Sequence, residues 1–409
     1  AWDDPGVTLD TAAVPGDEEF RRRSATPVRY WPEARQVRRE RDYFDCQRPV
    51  FRGYCEAMLS AFRAAAPAYR LCGFDAFKGN MLGWMTHPIF TGEKWREHYA
   101  DQFLATGTTG MAELLDMPGL DIVATPHDYR CRWAGFGYDP EGIGDSIQLH
   151  GRIMFVEEDQ RSYTNNERGL FGSIEPGEEE AVLHRNLAAT LTKGHQTYPM
   201  DVCVGYFESE EIQQALARRR EIEAEFLNVA RADVPSVVML VDDRSGMWTD
   251  FSAEYNDLAV IRQRIWGMNH CGVPTRTFLW DDLARGNFPT GHKLFLLPNC
   301  YRADAATLAL LKEKLFRDGN VIVFGPGSGI TDGETTSPDF AAALMGMDFE
   351  LYDYDYPRFV TVDHWTHPLA AGFGACDSYG DTHRYGPILV PWDPSAPECT
   401  GGIKRRRSS

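Results

Sequence analysis

One segment, His150 to Ser162 (HGRIMFVEEDQRS), sets reactive side chains directly behind an apolar run. A strand that ends in Glu157, Glu158, Asp159 and Arg161 can present a carboxylate at its C-terminal end. In a parallel sheet alternating with helices, that end is the reactive edge of the fold. A carboxylate there can attack an anomeric carbon or activate water, while a second one protonates the departing oxygen. The same residues also read as a solvated acidic turn after a strand, and the pattern alone leaves both readings open.

Other segments offer less. Gly325 to Gly329 (GPGSG) follows a strand-like run, but lacks the spacing and the lysine of a phosphate-binding loop, so it reads as a tight turn. Cys300 follows the run LFLLPN and could serve as an amidotransferase-type nucleophile, but no motif-matched Cys-His pair accompanies it, and it reads as a buried thiol. Nine cysteines, scattered without metal-ligand spacing, point to neither a disulfide framework nor a zinc site, and so to a reducing, cytoplasmic compartment. No metal or other cofactor is expected.

The elements that must position these residues follow from patterning. With 409 residues the chain should hold more than one domain. The excess of 60 acidic over 42 basic residues, a formal charge of -18, repels phosphate backbones, so nucleic acid is not an expected partner. No apolar stretch approaches the roughly 20 residues of a membrane span. The basic run Lys404 to Arg407 reads as a tail.

Residues 1 to about 47 read as a surface excursion. Phe51, Cys55, Met58, Leu59 and Phe62 then recur at helical spacing up to Pro67. Strands are expected at Tyr69 to Phe74, Leu120 to Thr125, Ile147 to Val156 and about His195 to Met200, with helical stretches between them, the signature of a parallel sheet. His150 then lies at the start of its strand, as a structural residue. A helix capped by Ser209 follows, and Arg231 to Pro235 reads as a linker. The alternation restarts with strands at Ser236 to Val241, Thr275 to Leu279, Lys293 to Leu297 and Asn320 to Phe324, a doubly wound unit with a helix capped by Asp304.

The stretches AWDDPGVTLDTAAVP (Ala1 to Pro15), LDIVATPHDYR (Leu120 to Arg130), SIQLHGRIMFVEEDQRS (Ser146 to Ser162) and Leu294 to Gly329 together resemble glycosyl hydrolases related to the family 42 β-galactosidases. The resemblance implies an α/β chain: residues 1–231 as the C-terminal part of a TIM (β/α) barrel, residues 235–375 as a flavodoxin-like, glutamine-amidotransferase-like trimerisation domain, and residues 376–409 as an unassigned tail. Four barrel strands stand where eight are needed. The acid/base glutamate of such relatives would lie in a segment before Ala1, so the chain is expected to be a fragment, nearly inert alone.

By the same resemblance Glu157 takes the position of the nucleophile. Asp159 and Arg161 support it, the arginine holding its pKa down. His127 and Tyr129, after the preceding strand, could line a sugar subsite, with packing an equal alternative for Tyr129. Tyr198 and Asp201, at the end of the last barrel strand, would bind hydroxyls, although the tryptophans usual there are replaced. The implied activity is retaining hydrolysis of a β-linked sugar, with an oligosaccharide or β-glycoside as substrate and a homo-oligomer such as a trimer as the assembly. The rival is a carbohydrate-binding or assembly protein without catalysis.

Overall fold

The computed structural model describes residues 34–66, 71–75, 109–166, 171–202, 205–248, 259–260, 263–352, 356–361, 365–374, 378–385 and 388–392. The readings of Ala1 to Pro15, of most of the 376–409 tail and of Lys404 to Arg407 lie outside the described residues. The fold is mixed α/β, built around two parallel sheets.

The first sheet joins β1 (Gly73–Asp75), β2 (Ile122–Pro126), β3 (Ile153–Glu158) and β4 (Gln196–Pro199) in sequential order, every neighbour parallel. Helix α1 (Ala34–Ala65) begins well before residue 47, inside the expected surface excursion. Its Cys55 and Leu59 enter the core, but Met58 and Phe62 remain partly exposed, so only part of the expected apolar face is used. The remaining helices here are α2 (Met111–Leu115), α3 (Gly144–Leu149), α4 (Pro176–Lys193) and α5 (Glu210–Phe226). Ser209 caps α5, its Oγ accepting from Ile212 N at 3.1 Å. Helix α3 corrects the strand expected from Ile147: the chain is helical to Leu149, turns through Gly151 at φ 73°, and only then extends. His150 is therefore at the C-terminal cap of α3, not on the strand.

The second sheet contains β5 (Val237–Val241), β6 (Thr275–Leu279), β7 (Leu294–Leu297) and β8 (Val321–Phe324) in the order β6-β5-β7-β8, again all parallel. Helix α6 (Ala305–Lys314) joins β7 to β8, and Asp304 caps it by accepting from Thr307 N at 2.8 Å. Helix α7 (Pro338–Met345) follows. Two antiparallel pairs complete the described chain: β9 (Asp348–Tyr352) with β12 (Ile388–Trp392), and β10 (Tyr356–Thr361) with β11 (Ser378–Tyr385).

Arg231 to Pro235 is exposed coil, and among the described residues β5 pairs only within the second sheet. The two sheets nevertheless share one core cluster, in which Val123, Met154 and Val156 meet Met239, Val241 and Leu279. Polar struts cross the same junction. β6 is an edge strand, and its outward N–H groups need acceptors. Thr277 N donates to Asp145 Oδ2 at 2.8 Å and Leu279 N to Ser146 Oγ at 2.7 Å, both from α3. His150 is held between Asp116 (Nδ1 to Oδ1, 2.7 Å) and Asp282 (Nε2 to Oδ1, 2.7 Å).

Asp243, after β5, accepts from Gly110 N at 2.9 Å and Met111 N at 2.8 Å, supplying the acceptor that the start of α2 lacks in its own side chains. Burial pushes its carboxyl up to about 7 from an ordinary 3.8, against the pull of Arg244. A raised acid favours the folded state fully below its unfolded value, and that benefit is lost as pH rises through its folded value. Denaturant unfolding at several pH values should therefore show Asp243→Asn removing about one proton from the fall in stability between the two values. An unchanged slope would mean that Asp243 ionises in the folded chain as freely as in the unfolded one.

Candidate active site

Strand alternation sets the site. On β3 the side chains of Met154, Val156 and Glu158 are buried, while Ile153, Phe155 and Glu157 lie half-buried on the other face. Glu157 is therefore at the C-terminal end of β3 on the half-buried face, in register with Pro126 of β2 and Tyr198 of β4. The Tyr198 ring stacks on Phe155 with centroids 4.9 Å apart, and its Oη donates to Glu157 Oε2 at 2.6 Å. Burial pushes the Glu157 pKa up. The bond from Tyr198 opposes this, the Asp159 charge adds to it, Arg132 opposes it, and the outcome is a value above the ordinary carboxylate range. This corrects the expectation of an arginine-depressed carboxylate. Tyr198 is itself shifted up, by burial first and then by its bond to Glu157.

Arg161 does not support Glu157. The strand ends at Glu158, and Arg161 N donates to Phe171 O at 3.1 Å. Its guanidinium lies 5.5 Å from the Phe171 ring centroid. The cation at the site is Arg132, from the loop after β2. Its Nη2 is 2.5 Å from Asp159 Oδ1, and its Nε and Nη2 donate to His127 O at 3.0 and 2.7 Å. Its guanidinium carbon sits 3.3 Å from the Tyr129 ring centroid, and Tyr129 Oη donates to Asp159 Oδ2 at 2.9 Å. Asp159 thus sits in a buried knot with Arg132 and Tyr129, two residues beyond Glu157 in the chain.

His127 has no accessible surface, stacks on Tyr138 at 5.1 Å, and accepts from Asp139 N at 3.2 Å. Burial drives its pKa well down and leaves it neutral. As placed, it orders the loop after β2 and touches no open face, which corrects its reading as a sugar contact. Asp201 is exposed and accepts from Gly205 N through both oxygens at 3.1 Å, shaping the turn after β4. Tyr198 meets Glu157 directly, where sequence reasoning gave it a substrate hydroxyl. Glu158 points away from Glu157 and pairs with Arg219 of α5, at 2.5 and 3.1 Å.

Arg132 is the functional residue that the sequence reading missed. The available signal was its chemistry: an arginine between Cys131 and Trp133, in a stretch rich in Gly and aromatics, needs a buried acid. Cys300 is buried and burial pushes its thiol far up, which removes it as a nucleophile.

A half-buried carboxylate at a parallel-strand end, held by a phenol and flanked by aromatic rings, can act as nucleophile or proton carrier toward a polar ligand on the same face. No described helix is long and apolar enough to cross a membrane. No family model matches the sequence, and no curated protein matches it. Among solved structures, the chain is similar to a catalytic mutant of a family 42 β-galactosidase from G. stearothermophilus, at 13% identity and a TM-score of 0.39, over 85% of this chain and 59% of that one. The chain therefore spans about three fifths of the length of that protein.

Proposed function

We propose that the chain belongs to a retaining glycoside hydrolase acting on a β-linked sugar such as a galactoside, with Glu157 as its nucleophile. The observation that carries this reading is Glu157 itself: a half-buried carboxylate at the C-terminal end of β3, with Oε2 held by Tyr198. Oε1 is then the attacking oxygen, and Phe155 and Tyr198 offer ring surface to a sugar. The proton donor is a second carboxylate outside the loops described above. In the same proposal, the sequential first sheet is the C-terminal part of a TIM barrel. The second sheet, whose order reverses at β5, is a flavodoxin-like assembly domain beginning near residue 235, and the assembly is a homo-oligomer.

One observation favours a second reading. Burial raises Glu157, and a raised carboxyl suits a proton donor better than a nucleophile. A panel of nitrophenyl glycosides separates the sugars and tests the activity itself. The expected result, with the chain supplied with the N-terminal half of a family 42 relative, is turnover of at least one β-linked member and loss of it in Glu157→Gln. A panel with no turnover, in a chain also supplied with the N-terminal half of a family 42 relative, would leave the binding or assembly role standing instead.

A further inference from the structure

We propose that the seam between the two sheets holds a binding site for a small oxyanion of acetate size. The site is a polar cavity of about 40 Å³, room for about three water molecules or a ligand of about three or four heavy atoms. Its walls come from both sides of the seam. The side of the first sheet supplies Asp139 from the loop before α3, Asp145 of α3, Lys193 at the end of α4 and His195 just before β4. The other side supplies Thr275 and Thr277 of β6, with Arg264 and Asn269 from the short turns Gln263–Gly267 and Met268–His270. Glu157 and Tyr198 are not among these walls, so the proposal stands apart from the hydrolase reading.

The class of ligand follows from which polar groups are already engaged. Arg264 is buried and uses one nitrogen, Nη2, for both Asp139 and Pro140 O, the latter at 2.9 Å. Its Nε and Nη1 donors remain for the cavity. Asn269 Nδ2 is buried, can donate twice, and meets no acceptor among the described residues. A buried amide without an acceptor is costly, so this nitrogen points to a ligand oxygen. Lys193 Nζ donates to Thr275 O and stands 3.8 Å from Asp145, and its three N–H groups leave one to spare.

The acceptors in the walls are more fully used. Asp139 holds Arg264, while Asp145 takes Thr277 N at 2.8 Å and faces Lys193. His195 Nδ1 lies 3.4 Å from Tyr138 Oη, and burial pushes its imidazole down to about 4, so it adds no charge at neutral pH. Two cations therefore face two paired carboxylates, and the surplus is in N–H donors, some of them on charged groups. Donors of that kind take an oxyanion through charge-assisted hydrogen bonds. Because the walls carry no net charge, a monovalent anion suits them better than a divalent one. The bound anion touches both sides of the seam, so its binding favours the docked arrangement of the two sheets.

The test titrates the whole chain with sodium acetate, holding ionic strength constant with sodium chloride. The side-chain amide resonance of Asn269, assigned by its loss in Asn269→Asp, should shift along a saturable one-site curve. Lys193→Met should weaken that curve about ten-fold, the equivalent of one charge-assisted hydrogen bond. Saturation transfer from protein to the acetate methyl group should vanish in Asn269→Asp, which puts a carboxylate where the anion's donor was. Inorganic phosphate and glycerol serve as the larger and the uncharged probes, and both should bind more weakly than acetate. A resonance that does not saturate, unchanged affinity in either variant, or tighter binding of phosphate or glycerol overturns the proposal. Should Asn269→Asp not fold, Lys193→Met, whose side chain is partly exposed, decides alone: a ten-fold weakening supports the site and an unchanged curve overturns it.

Discussion

Replacing Arg219 by methionine is expected to cost the folded chain about 3–5 kcal/mol, because it strands a carboxylate in the interior. Glu158 has no accessible surface, and Arg219 of α5 meets both its oxygens, at 2.5 and 3.1 Å. Arg219 also reaches Thr197 and donates to Glu223 at 2.8 Å, so one side chain ties β3 and β4 to the helix behind them. Burial already raises Glu158 above the ordinary range even with its partner in place. Without Arg219 that cost stands uncompensated, and it should shrink at low pH, where Glu158 is protonated in both states. Denaturant unfolding should show the loss, and the double variant Glu158→Gln with Arg219→Met should recover much of it, since neither member is then a buried charge. A loss below about 1 kcal/mol in Arg219→Met would mean that solvent, rather than the helix, satisfies Glu158.

The same pairing separates two neighbours that look alike in sequence. Glu158→Gln should act through stability and Glu157→Gln through chemistry, since strand alternation sends one into the core and the other to the half-buried face. The positions of the strands, apart from the early start at Ile147, were legible from the sequence, as were the coil at Arg231 to Pro235 and the caps at Ser209 and Asp304. Each of these depends on local patterning, which a single sequence displays directly.

What was not legible depends on contacts distant in sequence. Ile147 to Leu149 is apolar enough for a strand, but Asp145 and Ser146 serve the edge of β6, some 130 residues later, and the segment is a helix. Arg161 follows Glu157 at a spacing that suggests a partner. The chain leaves the sheet after Glu158, however, and pairs Arg161 with Gly172. The cation paired with Asp159 comes from another loop, and only folding brings Arg132 there. His127 was placed on the correct loop, but its orientation into the core depends on Tyr138 and Arg132, which no spacing rule encodes. The upward direction of the Glu157 pKa follows from burial, which sequence alone does not measure.

Covalent trapping tests whether Glu157 attacks the sugar. A fluorinated dinitrophenyl β-galactoside slows the breakdown of a glycosyl intermediate, and its leaving group departs without protonation, so the nucleophile alone suffices. Peptide mapping by mass spectrometry should place one sugar adduct on the peptide that carries Glu157, and fragmentation should assign it to that carboxylate. Glu157→Gln should remain unlabelled while folding normally, because its half-exposed side chain keeps its shape and loses only the attacking charge. Turnover of activated aryl glycosides should fall with it by on the order of a thousand-fold or more. An adduct on Glu158, on Asp159 or elsewhere, or a chain that takes no label at all, would contradict the assignment of Glu157 as the nucleophile.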